Sequence, residues 1–306
     1  MAEQFAELRI DCRNALGEMP VWSPHSGTLY WIDVVKPGRI FHWHTATNRV
    51  DFWKFGDLVT GIDLVSGGDL LVRSTTEVFR FDPKTGRTSP VFSLPVSQVR
   101  MRFNDGHCDR AGRLWVGTME NNLRDDGKPV AITQFVGQVF AIEGRVATSV
   151  DTHLGCPNAI CWSPDGSTFY VADSCDGWIY AYSFDCALGT ISSRRPFCHL
   201  SGLGIPDGAA VDCDGYIWNA RWGAGAVARI SPKGQLDRIV RIPASQPTAC
   251  CFGGDDLRTL YVTSARFAIA SNELKAQPYA GGIFAIPVQV AGLAQPEFGR
   301  RLNAEV

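Results

Sequence analysis

The chain has 306 residues, 45% apolar and 11% aromatic, with a formal net charge of −2. That supplies ample surface for a sizeable core and no basic field for nucleic acid or anionic lipid. No apolar run approaches the roughly 18 residues that span a bilayer, and the acidic start Met-Ala-Glu-Gln-Phe-Ala-Glu lacks a signal-peptide pattern, so a cytoplasmic protein without nucleic-acid or membrane partners is expected.

The elements repeat along the chain. Residues 6–11 read as a strand ahead of the first unit. A glycine-containing turn followed by an apolar strand then recurs: Gly27-Thr28-Leu29-Tyr30-Trp31, Gly68-Asp69-Leu70-Leu71-Val72 and Gly112-Arg113-Leu114-Trp115-Val116. The later copies are Gly166-Ser167-Thr168-Phe169-Tyr170, Gly215-Tyr216-Ile217-Trp218 and Arg258-Thr259-Leu260-Tyr261-Val262, the last without a glycine next to the strand, Gly253-Gly254 lying a little earlier. Each is followed by a second strand signal, as in Gly38-Arg39-Ile40-Phe41 or Gly177-Trp178-Ile179-Tyr180. Residues 123–133 read as an exposed loop, and residues 269–277 as a helical turn or two. Six units of about 40–55 residues, each offering three or four short strands, are the arithmetic of a β-propeller. The expectation is an all-β, six-bladed propeller occupying residues 1–306 as one domain. The N-terminal strand would close the ring by completing the last blade.

The ten cysteines contain no Cys-x-x-Cys pair, Cys250 and Cys251 are adjacent, and most have apolar neighbours. They read as small buried hydrophobes rather than as disulfides or zinc ligands.

In a propeller the polar residues just before each inner strand can converge on the central channel. Those positions hold Glu18, then Arg102, Asn104 and Asp105, then Asn158, Asp207 and Gln246. Glu18, Asn158 and Asp207 are oxygen donors suited to a hard divalent cation. The same Pro-Asn and Asp-Gly pairs are also ordinary turn signals. Asp173 and Trp222 lie near the channel, as strand-end and core residues respectively or as site residues. His42 and His44 read as surface residues and His107 as a turn residue. Cys156 lies close enough to Asn158 for thiol modification to reach activity.

Read together, several motifs resemble the gluconolactonase/regucalcin (senescence-marker-protein) family over nearly the whole length. They are Leu16-Gly17-Glu18-Met19-Pro20, Arg102-Phe103-Asn104-Asp105-Gly106, Gly117-Thr118-Met119, Pro157-Asn158-Ala159-Ile160, Pro206-Asp207-Gly208 and Phe252-Gly253-Gly254. The resemblance implies one central divalent cation (calcium, zinc, manganese, magnesium or ferrous iron) held by Glu18, Asn158 and Asp207. It implies a small-molecule sugar lactone as substrate, gripped by Arg102 and Asn104, with Asp207 as the general base. Two departures carry expectations of their own. Family members often have Asn-Gly where this chain has Asn158-Ala159, which asks the backbone there to avoid positive φ. Where relatives place an acidic residue after Gly-Thr-Met, this chain reads Glu120-Asn121-Asn122, making Glu120 the substrate-binding candidate. The activity expected is hydrolysis of an aldonolactone in pentose or hexose catabolism, by a monomer or weak homo-oligomer. The alternatives are a calcium-binding regulatory or scaffold propeller, and a promiscuous esterase or phosphotriesterase.

Overall fold

The computed structural model describes residues 4–95 and 100–299. Val99 and the two ends of the span 1–306 lie outside the described residues. Six antiparallel sheets follow one another along the chain. The first blade runs outward from Gly17–Ser23 through Thr28–Asp33 and Arg39–His44 to Arg49–Lys54. The innermost strands of the next four blades are Gly61–Leu64, Met101–Cys108, Pro157–Trp162 and Ile205–Val211. The sixth blade holds Pro247–Gly253, Thr259–Ser264 and Ile283–Pro287. Its outer strand is Glu7–Ile10, paired antiparallel to Ile283–Pro287. The N-terminal strand therefore closes the ring as expected. Gln4–Phe5 adds a feature the pattern did not reveal: it pairs in parallel with Leu236–Arg241 at the rim of the fifth blade.

A four-stranded sheet has two apolar faces, and each must be covered. The core accordingly divides into six clusters, each drawn mainly from two neighbouring blades. Trp115 is fully buried between the third and fourth blades, against Ile160, Phe169 and Phe184. Trp31, Trp43 and Tyr261 join the first blade to the sixth. The blade repeat also carries a buried aspartate. Asp109 accepts hydrogen bonds from the Arg113 backbone and the Trp115 indole, and Asp212 does the same for Tyr216 and Trp218. The only helix among the described residues is Ser271–Ala276, inside the stretch read as a helical turn. No helix there is long and apolar enough to cross a membrane. The ten cysteines are free.

The inner strands are not regular. Register shifts interrupt five of them, between Glu18 and Val21, Phe103 and Gly106, Asn158 and Cys161, Pro206 and Ala209, and Pro247 and Cys250. The pairing of Gly61–Leu64 runs without a shift. A bulge breaks the two-residue alternation and re-aims the side chains beside it. This turns polar residues of strands that are otherwise core toward the channel.

Candidate functional site

Glu18, Arg102, Asn104, Asp105, Asn158 and Asp207 all line one cavity of about 600 Å³ at the end of the channel where the inner strands begin. That size suits a small-molecule ligand. Its wall includes Ile132, Phe135, Trp222 and Phe267, so Trp222 faces the cavity as well as the core. Thr60 is the contribution of the second blade, whose inner strand has no bulge. Gln246 is not among the lining residues.

The strand starts are clamped from behind. Asp33 accepts from the backbone N–H of Ala15 (3.1 Å) and Leu16 (2.9 Å), setting the approach to Glu18. Asp173 does the same in the fourth blade, accepting from Gly155 (2.7 Å) and Cys156 (2.9 Å) ahead of Asn158. Asp173 is thus a strand-end anchor that holds the site without lining the cavity.

A directional hydrogen-bond chain orients the floor. Arg102 Nη1 donates to Asn104 Oδ1 (2.8 Å), and Asn104 Nδ2 donates to Asn158 Oδ1 (2.9 Å). Asn158 Nδ2 donates to Ser174 Oγ (2.8 Å), whose hydroxyl donates to Pro206 O (2.6 Å). Because a guanidinium only donates, each amide along the chain has its oxygen and nitrogen assigned. Asn158 therefore turns its carbonyl oxygen to the side of Asn104.

The electrostatics of the floor are dominated by like charge. Burial, then the charges of Asp207 and Asp105, push the Glu18 carboxyl well above the ordinary range. Burial and Asp105 push Asp207 up in the same way. Asp105 itself accepts from the Ile160 backbone at 2.9 Å, tying the third blade to the fourth. Two carboxylates crowded on the cavity floor, with Asp105 behind them and an oriented amide oxygen beside them, suit a hard divalent cation that would relieve the crowding of like charge. Among the described residues no cluster of three or more His, Cys, Asp or Glu side chains is placed to hold a metal ion, in this cavity or elsewhere.

The SMP-30/gluconolactonase/LRE-like pattern matches residues 16–266. The chain belongs to that family. It is 34% identical over 289 residues to a 6-deoxy-6-sulfogluconolactonase of Pseudomonas putida, covering 93% of this chain and 95% of the relative. It is 31% identical over 300 residues to an L-arabinolactonase of Azospirillum brasilense, covering 96% and 95%. Among solved structures, a calcium-binding protein, regucalcin, of Agrobacterium tumefaciens superposes with a TM-score of 0.90 at 28% identity, covering 98% of this chain and 100% of the other.

Three positions, Ala159, Glu120 and His107, differ from what the sequence suggested. Ala159 adopts φ of +52°, and Met19 in the first blade adopts +48°. Both sit in the bulge that follows a site residue, and the bulge geometry overrides the preference of a side chain for negative φ. Glu120 does not line the cavity: its carboxylate accepts from the backbone of Thr133 (2.6 Å) and Gln134 (3.1 Å). These bonds hold the Glu120 carboxyl below its usual range. Asn122 lines the cavity instead, with Oδ1 accepting from Arg102 Nη2 (2.8 Å) and Nε (3.2 Å). His107 is a strand residue, not a turn residue, standing between Asp63 (3.6 Å) and Asp105 (3.9 Å) inside the channel.

The remaining candidates are quickly placed. His42 is half-buried and stacks on Trp53, with ring centroids 4.2 Å apart, while His44 is exposed. Cys156 lines the cavity next to Asn158, and burial raises its thiol pKa far out of the reactive range. In the loop read as wholly exposed, Leu123 is buried and Ile132 faces the cavity.

Proposed function

We propose that this chain is a divalent-metal-dependent hydrolase that opens a sugar (aldono-) lactone to its aldonic acid in pentose or hexose catabolism. The observation that carries this reading is the meeting of Glu18, Asn158 and Asp207 with Arg102 and Asn104 on one cavity floor. The lactonases among its relatives support the same chemistry.

Glu18, Asn158 and Asp207 would hold the cation, which supplies Lewis-acid polarisation of the lactone carbonyl when bound. Asp207 accepts a proton from water as its oxygen adds to that carbonyl, then returns the proton to the ring oxygen as the ring C–O bond breaks. Arg102 and Asn104 orient the substrate, the guanidinium through directed N–H donors. Glu120 contributes through the loop it ties down at Thr133 and Gln134.

A panel of aldonolactones, followed by acid release before and after metal stripping, tests the reading. Release from at least one lactone, lost on chelation and restored by a divalent cation, is expected. An undiminished rate in stripped protein overturns the metal dependence, and silence across the panel with metal present overturns the lactonase assignment.

A further inference from the structure

Arg102 differs from most of the buried arginines. Arg73, Arg113 and Arg229 each meet a carboxylate, on Asp63, Asp109 and Asp212. Arg102 is 5% exposed and lines the cavity, yet every acceptor it reaches is neutral: Phe103 O, Asn104 Oδ1 and Asn122 Oδ1. Arg221 shares this lack of a carboxylate, but it is spent on Leu203 O, Gly204 O and Asn219 Oδ1 and does not line the cavity.

A guanidinium carries five N–H donors. Four are committed here, one from Nε, two from Nη1 and one from Nη2. The fifth, on Nη2, is spare. Asn122 uses its oxygen to hold Arg102, and its Nδ2 has no hydrogen-bond partner among the described residues. The backbone that carries this side chain is fixed, because the Asn122 backbone carbonyl accepts from Val130 N at 2.8 Å. Spare N–H donors from a fork and an amide thus stand side by side at the cavity, next to a positive charge without a carboxylate of its own.

A buried charge left without a counter-charge is costly to keep, and the carboxylates nearest in the cavity, Glu18 and Asp207, are the ones a divalent cation would take. We propose that Arg102 and Asn122 form a subsite for an anionic substituent of the substrate, a sulfonate, phosphate or carboxylate carried on the exocyclic end of the lactone. This rests on the lactonase reading and names the substrate class within it. A carboxylate at position 122 would neutralise Arg102 in a bidentate pair and close the subsite. The amide orients the guanidinium and leaves its charge available.

The test compares stable product acids on the full-length, calcium-saturated protein. D-gluconate and 6-phospho-D-gluconate differ only in the anionic group, and calorimetry should find the phosphorylated acid bound at least tenfold more tightly. 6-Deoxy-6-sulfo-D-gluconate in a parallel arm separates sulfonate from phosphate recognition. Asn122→Asp should bring the ratio of dissociation constants close to one. Equal affinity in the wild type for gluconate and for both acids with a second anionic group at C6 overturns the proposal. So does an Asn122→Asp variant that weakens every ligand alike, since a mere prop for the fold would leave the ratio intact. Hydrolysis of D-glucono-1,5-lactone and its 6-phosphate, measured beside binding, keeps the two readings apart. Failure to open either lactone counts against the lactonase assignment, whereas the binding ratio judges the subsite alone.

Discussion

At the scale of single residues, the floor of the cavity is built against its own stability. Glu18 and Asp207 are both held above the ordinary carboxylate range by burial and by neighbouring carboxylates, Asp207 and Asp105 for Glu18 and Asp105 for Asp207. A carboxyl whose folded pKa lies above its unfolded value binds more protons in the folded state. Stability of the cation-free protein therefore falls as pH rises from the ordinary carboxylate range through the raised folded values. Glu18→Gln should flatten that slope, measured as Tm against pH in metal-free buffer, and saturating cation should flatten it in the wild type. Asp207→Asn should lower kcat by about 10²–10⁴-fold while leaving Tm of the cation-free protein equal or higher; a collapse of Tm would show that Asp207 is structural. Ser174 acts one step back. Its hydroxyl fixes the amide of Asn158, and Ser174→Ala should weaken cation binding by about tenfold or more, read by calorimetry. The main candidates were legible at this scale because Glu18, Asn158 and Asp207 recur at nearly the same place, at the start of the inner strands of the first, fourth and fifth blades. Asn122 was not, because its role depends on a partner 20 residues away.

At the scale of the strand, the same aspartate does the same work in two blades. Asp33 and Asp173 close the second strand of their blades and reach back to clamp the entry to the first. Asp173→Ala leaves the N–H groups of Gly155 and Cys156 without their acceptor in a part-buried setting. It should cost about 2–4 kcal/mol in denaturant titration, and it should weaken cation binding because Asn158 loses its frame. Unchanged cation affinity at that loss of stability would separate the clamp from the site. The bulge after Asn158 was invisible in the sequence because Ala159 and Ile160 continue the apolar run of their strand. Ala159 shows why: a small residue with no turn signal occupies φ of +52°, held there by pairing on either side of the bulge. A β-branched side chain is poorly tolerated in that conformation, so Ala159→Val should destabilise by about 2 kcal/mol, whereas a regular strand at that position would accept it.

At the scale of the whole molecule, stability depends on a closed ring in which each blade covers its neighbours. Glu7–Ile10 completes the sixth blade, and Ala6 joins the core between the fifth and sixth. Removing residues 1–11 exposes the edge of Ile283–Pro287 and uncovers the core residues that Ala6, Leu8 and Ile10 cover, among them Ile283 and Phe284. The loss should be about 3 kcal/mol or more, seen as a lower Tm and as association through the open edge in light scattering. A truncated chain that melts like the full one would mean that the ring closes without its N-terminal strand.

The repeat, the blade count, the ring closure and the main site candidates were determined by the sequence alone. Each is a periodic property: an apolar strand after a glycine turn needs a neighbour to cover it, and a polar residue at a fixed place in each period must gather with its equivalents. Only the tertiary structure decided which way Glu120 and Asn122 turn, that His107 stands in the channel between Asp63 and Asp105, and that Met19 and Ala159 adopt left-handed backbone. Those outcomes depend on register shifts within single strands and on bonds between a loop and a strand. No periodic signal encodes either, because one extra residue in a ladder reverses which side chains face the channel.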